Sequence, residues 1–210
     1  MKKVNLNGLY NCCEWVMKLT YLNILWFLFT LIGLVFLGFG PATLAMFSVS
    51  RKWILEKEEV PVFQVFWHNF KKNFFQANLL VYTHLILVYL LSVYYLLISG
   101  LEGGVIGDLF QVITLVTTCY FILIICMSFP LFSHAKLSIF HYLKYSAMIV
   151  ISHPFHMLAL AFSILLICLL FLLLPGLIPF FSGSMTSLVT MYIASNIFRK
   201  LEQVEGGESA

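Results

Sequence analysis

Four long runs without charged residues constrain the fold of this chain more than any other feature. A helix needs about 20 predominantly apolar residues to cross a bilayer. The third run, residues 109–135, therefore fits one span, and the last, residues 145–198, is long enough for two. The sequence therefore predicts an all-α protein, a polytopic membrane helix bundle. The uncharged runs are residues 19–50, 73–101, 109–135 and 145–198.

The composition agrees with lipid as the main partner of the chain. Hydrophobic residues make up 61% and charged residues 10%, against about 45–50% and 25% in soluble domains. A net charge of +3 is too small to suggest binding of nucleic acid. The chain is long enough for one membrane-embedded domain, residues 1–204, and the short tail 205–210 is expected to be disordered.

Five spans are predicted, at about residues 20–39, 78–99, 110–129, 154–174 and 183–198. Amphipathic segments before the first span and after the third are expected to lie at the membrane surface. Gly40 and Pro41 follow the first span, and together they predict a break there, because glycine loosens a helix and proline removes a backbone donor.

The distribution of lysine and arginine predicts the orientation. Residues 51–72, 136–144 and 199–200 are basic, whereas the turns 100–108 and 175–182 carry neither lysine nor arginine, so the basic segments and the C-terminus should be cytoplasmic. The side of the membrane on which the N-terminus lies depends on whether residues 19–50 cross once or twice. A single crossing by residues 19–50 is favoured because residues 42–50 are too short for a span; the alternative is a hairpin and six crossings.

One segment after the first run has an aromatic stripe at helical spacing. The stripe comprises Phe63, Phe66, Trp67, Phe70 and Phe74, and lysines lie beside it. This pattern predicts a helix of residues 63–74 that either lies at the membrane interface or packs its stripe against the bundle.

Few residues offer chemistry. His84 is the one histidine at depth in a span, where an ionisable group marks either an interior hydrogen bond or a pathway. Ser184, Ser187 and Thr190 share a small, hydroxylated helix face, which indicates packing against the bundle or a partner subunit, with a pore lining as the alternative. No acid lies in a span to orient a catalytic base, so neither an enzyme nor a metal site or other cofactor is expected.

The first third of the chain resembles the YesL family. The resemblance rests on Tyr21-Leu-Asn-Ile-Leu-Trp26, on Gly40-Pro41-Ala-Thr, and on the run from Phe63 to Asn73 and beyond. It implies a multi-pass protein of the bacterial plasma membrane, encoded beside sugar-import permeases, and it implies no catalytic residues.

Two functions remain open at this stage. The leading hypothesis is a non-enzymatic accessory protein of carbohydrate uptake, in contact with an ABC-type sugar permease through the aromatic helix and the small-residue last span. The alternative is a small transporter or channel subunit, built round the breaks at Pro41 and Pro130, His84 and the Ser/Thr face of the last span. A homo-oligomer with a hydrated cavity would favour this alternative.

Overall fold

The computed structural model describes residues 6–55, 60–99, 105–135 and 137–207. Within these ranges the chain is helical and contains no strand, which confirms the predicted class. The elements are α1 (Leu6–Ile32), α2 (Phe39–Leu55), α3 (Val62–Lys72), α4 (Phe74–Ser99), α5 (Val105–His134), α6 (Ile139–Ser152), α7 (Pro154–Leu173) and α8 (Ile178–Gly207), with a 3-10 turn at Pro175–Leu177 before α8.

Among the described residues, five helical segments are long and apolar enough to cross a membrane. They correspond in order to the five predicted spans, and most extend beyond the predicted limits. α5, for example, continues past Pro130 to His134, because a membrane helix tolerates proline when nearby groups satisfy the freed backbone. The segments are Tyr10–Ile32, Phe74–Ile98, Gly107–His134, Pro154–Leu173 and Pro175–Gln203.

The predicted break after the first span is misplaced. The helix ends at Ile32, and residues 33–38 form a tight turn in which Leu34 and Val35 have φ angles of 56° and 64°. Pro41 instead lies in the first turn of α2, where its missing N–H needs no partner. Glycine and proline here begin a helix rather than interrupt one.

α1 and α2 form an antiparallel hairpin. The indole of Trp26 donates a hydrogen bond to Thr43 over 3.0 Å, and near the open end Trp15 and Trp53 meet edge to face at 5.7 Å. The antiparallel packing of α2 on α1 fits the alternative of a hairpin. However, α2 has 17 residues, about 25 Å of helix at 1.5 Å per residue, and is not among the five candidate spans of the described residues. Whether residues 19–50 cross the membrane once or twice stays a prediction. The segment expected at the surface before residue 20 is the first part of α1.

α2 lies at the centre of the bundle. It contacts α1, α3, α4, α5 and α8. Leu44 and Phe47 pack into a core shared with α4, α5 and α8, whereas Ala42, Met46 and Val49 pack into a second core with α1 and α3. Small residues along α2 let several helices approach one axis.

α8 runs beside α2 in the same direction. Gly183 lies beside the Asn23 side chain and the thioether of Met46, and one turn later Ser187 meets Ser50. The two ends of the bundle differ in the residues that they hold. We call the end with residues 33–38 and the 3-10 turn the turn end, and the end with Lys18, Arg51 and Arg199 the basic end.

Candidate functional site

Gly40 permits a close backbone approach between α2 and α4. A Cβ atom at this position would lie 2.9 Å from the carbonyl oxygen of Ala77 and 3.1 Å from the side chain of Val81. Because a backbone carbonyl cannot swing aside as a side chain does, any larger residue would push the helices apart. Gly40 and Pro41 are both buried in the bundle, which gives them a structural role.

The small-residue face of α8 is used inside the protein. Ser184, Ser187 and Thr190 are buried, and the Ser187 hydroxyl lies 3.0 Å from that of Ser50 on α2. The face packs against α1 and α2, as the packing interpretation predicts. It therefore presents no surface to a partner, and the expected permease contact through the last span is not supported by this arrangement.

Asn23 is a buried polar residue that sequence reasoning did not select. Its amide donates to the carbonyl of Pro179 over 2.7 Å, and its oxygen accepts from the N–H groups of Gly183 and Ser184 over 2.9 and 3.1 Å. One side chain thus joins α1 to the start of α8. The available signal was an amide in the middle of an apolar run, where a polar group requires a partner.

His84 forms an interior hydrogen-bond pair. Its Nδ1 lies 2.8 Å from the carbonyl of Leu80, and its Nε2 lies 3.1 Å from the hydroxyl of Ser128 on α5. The ring is stacked on Phe129. Both ring nitrogens have partners inside the bundle, so the histidine links α4 to α5.

The aromatic stripe is divided between two environments. Phe66 and Phe70 are buried and surround Phe29 of α1, with ring centroids 5.2 and 5.0 Å from it. Phe63 is 47% exposed and Trp67 38% exposed. Packing against the bundle therefore holds for Phe66 and Phe70, and the position of the exposed part at the membrane interface stays a prediction. We call Phe63, Gln64, Trp67, His68 and Lys71 the outer face of α3.

Lys71 covers the Trp67 ring of this face. Its ammonium lies 3.9 Å from the centroid of the Trp67 ring, a cation–π arrangement. Asn73 follows at the junction of α3 and α4, where its N–H bonds back to Asn69 and its carbonyl accepts from Ala77 over 2.9 Å. The junction turns the chain from α3 into the span.

A polar cavity of about 590 Å³ opens at the basic end, between α2, α3, α4 and the end of α5. Arg51 Nε and His134 Nδ1 are buried and have no hydrogen-bond partner within the described part of the chain. We call this space the basic-end cavity. Its polar lining comprises Ser48, Arg51, Asn69, Lys72, Asn73, Gln76, Ser133, His134 and Tyr142.

The lining of the cavity favours binding of an anion. It contains a guanidinium, an ammonium and amide groups, and no described lining residue is an acid. His134 bonds through Nε2 to Glu202 at 3.2 Å, outside the lining. The Tyr142 hydroxyl donates a hydrogen bond to the carbonyl of Ala135 and accepts one from the N–H of Leu137. Burial raises the pKa of Tyr142, and the hydrogen bond from Leu137 opposes this shift.

The fold defines a class: a multi-pass α-helical membrane protein. The family model "Protein of unknown function, DUF624" matches residues 19–95. The chain is 35% identical to the uncharacterized protein YesL of Bacillus subtilis (strain 168) over 204 residues, 97% of this chain and 96% of that protein. It is thus a member of the YesL family.

Two further Bacillus subtilis (strain 168) proteins are similar over nearly the whole chain. The uncharacterized protein YteU is 36% identical over 216 residues, 97% of this chain and 90% of that protein. The uncharacterized protein YesV is 32% identical over 202 residues, 96% of this chain and 97% of that protein. No solved structure matches the chain.

Proposed function

We propose that the protein is a non-enzymatic accessory subunit of carbohydrate uptake in the bacterial plasma membrane, with its C-terminus in the cytoplasm. It contacts an ABC-type sugar permease through the outer face of α3. The observation that carries the contact is the division of the aromatic stripe, in which Phe63 and Trp67 stay exposed while their neighbours pack inside. The link to carbohydrate rests on the family resemblance.

The outer face of α3 has the composition of a binding surface. Tryptophan dominates the binding energy of many interfaces, and aromatic residues are enriched at their centres. Lys71 holds one side of the Trp67 ring, which lowers the conformational entropy that the ring would lose on binding. With the small-residue face of α8 occupied by α1 and α2, the contact is assigned to α3 alone.

The non-enzymatic assignment draws on how the buried polar groups are used. His84 pairs with Ser128, and Ser50 pairs with Ser187. A nucleophile needs a base that is itself oriented by a third group, and these groups instead complete the hydrogen bonds between helices.

A small transporter or channel subunit is the second candidate, and the basic-end cavity is the observation that favours it. A substrate site in a transporter is a polar cavity reached from one side at a time. Deeper in the bundle, however, Phe129 is stacked on Phe47 at 5.7 Å, which sets two rings where a polar path would have to continue. The accessory role is therefore preferred.

Co-purification from native membranes tests the proposal. The tagged wild type should retain a sugar permease, and the double variant Phe63→Ser, Trp67→Ser should lose it, with binding weaker by about tenfold or more because central aromatic residues contribute about 2 kcal/mol or more. The matched control replaces Phe140 and Phe155, both 82% exposed, and should retain the permease.

Two results would contradict the accessory role. If the wild type is recovered without any permease, the proposed partner is wrong. Equal loss of the permease in the control would show that the outer face of α3 has no special part in binding. A homo-oligomer that moves sugar across the membrane of a liposome would favour the second candidate.

A further inference from the structure

We infer that the basic-end cavity is a binding site for a phosphate group, carried either by an anionic lipid headgroup or by a soluble phosphate compound. The inference does not depend on the permease contact, since the cavity is lined by α2, α3, α4 and the end of α5, and Trp67 is not among its lining residues. It follows from the charge and the unused hydrogen-bonding groups of the lining.

Arg51 is the central observation. It lies in the last turns of α2, and its Nε is buried without a partner within the described residues. Burial of a guanidinium nitrogen without a hydrogen bond is unfavourable, and the group matches two oxygens of a phosphate in a bidentate arrangement. Glu202 lines an adjoining pocket together with Arg51 and His134, and it is bonded to His134.

Other donors face the same space. Lys72 provides an ammonium, and Asn73 and Gln76 provide amides that make no side-chain hydrogen bond in the part of the chain described. By contrast, the Ser48 and Ser133 hydroxyls donate to the carbonyls of Leu44 and Pro130. The lining groups without a described side-chain partner are therefore cationic or amide groups, together with the Nδ1 of His134.

The number of donors favours phosphate over a simple carboxylate. A carboxylate offers two oxygens, whereas a phosphate monoester offers three strong acceptor oxygens and a larger negative charge. A guanidinium, an ammonium and two amides together supply more donors than two oxygens use. The cavity volume of about 590 Å³ also leaves room for the group that carries the phosphate.

The test uses the full-length protein purified in a neutral detergent. Calorimetry measures binding of two probes, inorganic phosphate and the short-chain lipid dihexanoyl-phosphatidic acid, whose headgroup is a phosphate monoester. The wild type should bind at least one probe saturably, and Arg51→Gln should weaken that binding by about tenfold or more, because charge-assisted bidentate hydrogen bonds are the strong ones. Arg51→Lys, which keeps the charge and loses the fork, should lie between the two.

Lys144→Gln is the matched control, because it removes an exposed charge that does not line the cavity and should change binding by less than about twofold. If Arg51→Gln does not fold, Lys72→Gln takes its place, since Lys72 is exposed and lines the cavity.

Tighter binding of the lipid than of phosphate identifies a headgroup as the source, and the reverse identifies a soluble compound. Absence of saturable binding of both probes, or equal weakening by Lys144→Gln, overturns the inference.

Discussion

Two residues show how single side chains set the positions of whole helices. Gly40 lets α2 approach the backbone of α4, and Asn23 holds α1 against the start of α8. Neither role is chemical. In a bundle where lipid removes the usual hydrophobic force between helices, small residues and buried hydrogen bonds decide which helices meet.

Gly40→Leu should lower the stability of the protein and its amount in the membrane. The new side chain meets the Ala77 carbonyl, and overpacking of this kind costs about 1–3 kcal/mol or more. The measurement is the apparent melting temperature in detergent, together with the abundance of folded protein. Gly176→Leu is the control, because a Cβ atom there has nothing within 4 Å. An unchanged melting temperature for Gly40→Leu would contradict the close approach.

Asn23→Ala should destabilise the protein by about 1–3 kcal/mol, since it leaves buried backbone groups of α8 without the partner they have now. Thermal unfolding in detergent measures the effect. Asn11 is exposed on the same helix, so Asn11→Ala should leave the melting temperature nearly unchanged. If both variants unfold at the same temperature, the Asn23 hydrogen bonds do not secure α8.

At the scale of elements, the local pattern predicts helices better than it predicts contacts. The aromatic spacing correctly indicates a helix at Phe63 and its neighbours, because a period of 3.6 is a property of the segment itself. The packing of the stripe depends on Phe29, which belongs to another helix and meets four of its rings, those of Phe63, Phe66, Trp67 and Phe70. The turn at residues 33–38 was missed for a related reason: glycine and proline mark either the end or the start of a helix.

α3 should depend on its inner aromatic residues for stability. Phe66 has no exposed surface and Phe29 is 9% exposed, so Phe66→Ala and Phe29→Ala should each cost about 3–5 kcal/mol, the usual loss for a buried phenylalanine. Phe63→Ala, on the outer face, should cost much less. Melting temperatures of the three variants provide the comparison, and similar values for all three would show that α3 is not anchored through its inner face.

For the whole molecule, the class and the five long apolar helices follow from hydropathy, whereas the basic-end cavity does not. Its lining residues come from helices separated by up to half the chain, and each looks ordinary in its own segment. In the sequence, Arg51 is only one of the basic residues that predict which side of the membrane is cytoplasmic. The burial of its Nε and the lack of a described partner for that nitrogen arise from packing of α2 inside the bundle, which the uncharged run of residues 19–50 does not reveal.

The hairpin of α1 and α2 makes a definite prediction of topology. Trp15 and Trp53 lie together, so the start of α1 and the end of α2 share the basic end of the bundle. Because lysine and arginine accumulate on the cytoplasmic side, that end should face the cytoplasm. Single cysteines introduced by Asn11→Cys and Gln203→Cys into a variant without native cysteines should be protected from an impermeant thiol reagent in intact cells.

Leu34→Cys and Gly176→Cys, at the turn end, should be labelled in the same experiment because both positions are exposed. Permeabilised cells provide the control, since all four cysteines should then react. If Asn11→Cys is labelled and Leu34→Cys is protected in intact cells, α1 crosses the membrane in the opposite direction. The α1–α2 hairpin would then not cross the membrane twice. Labelling of Gln203→Cys would place the C-terminus, and with it the basic end, outside, against the charge bias of the chain.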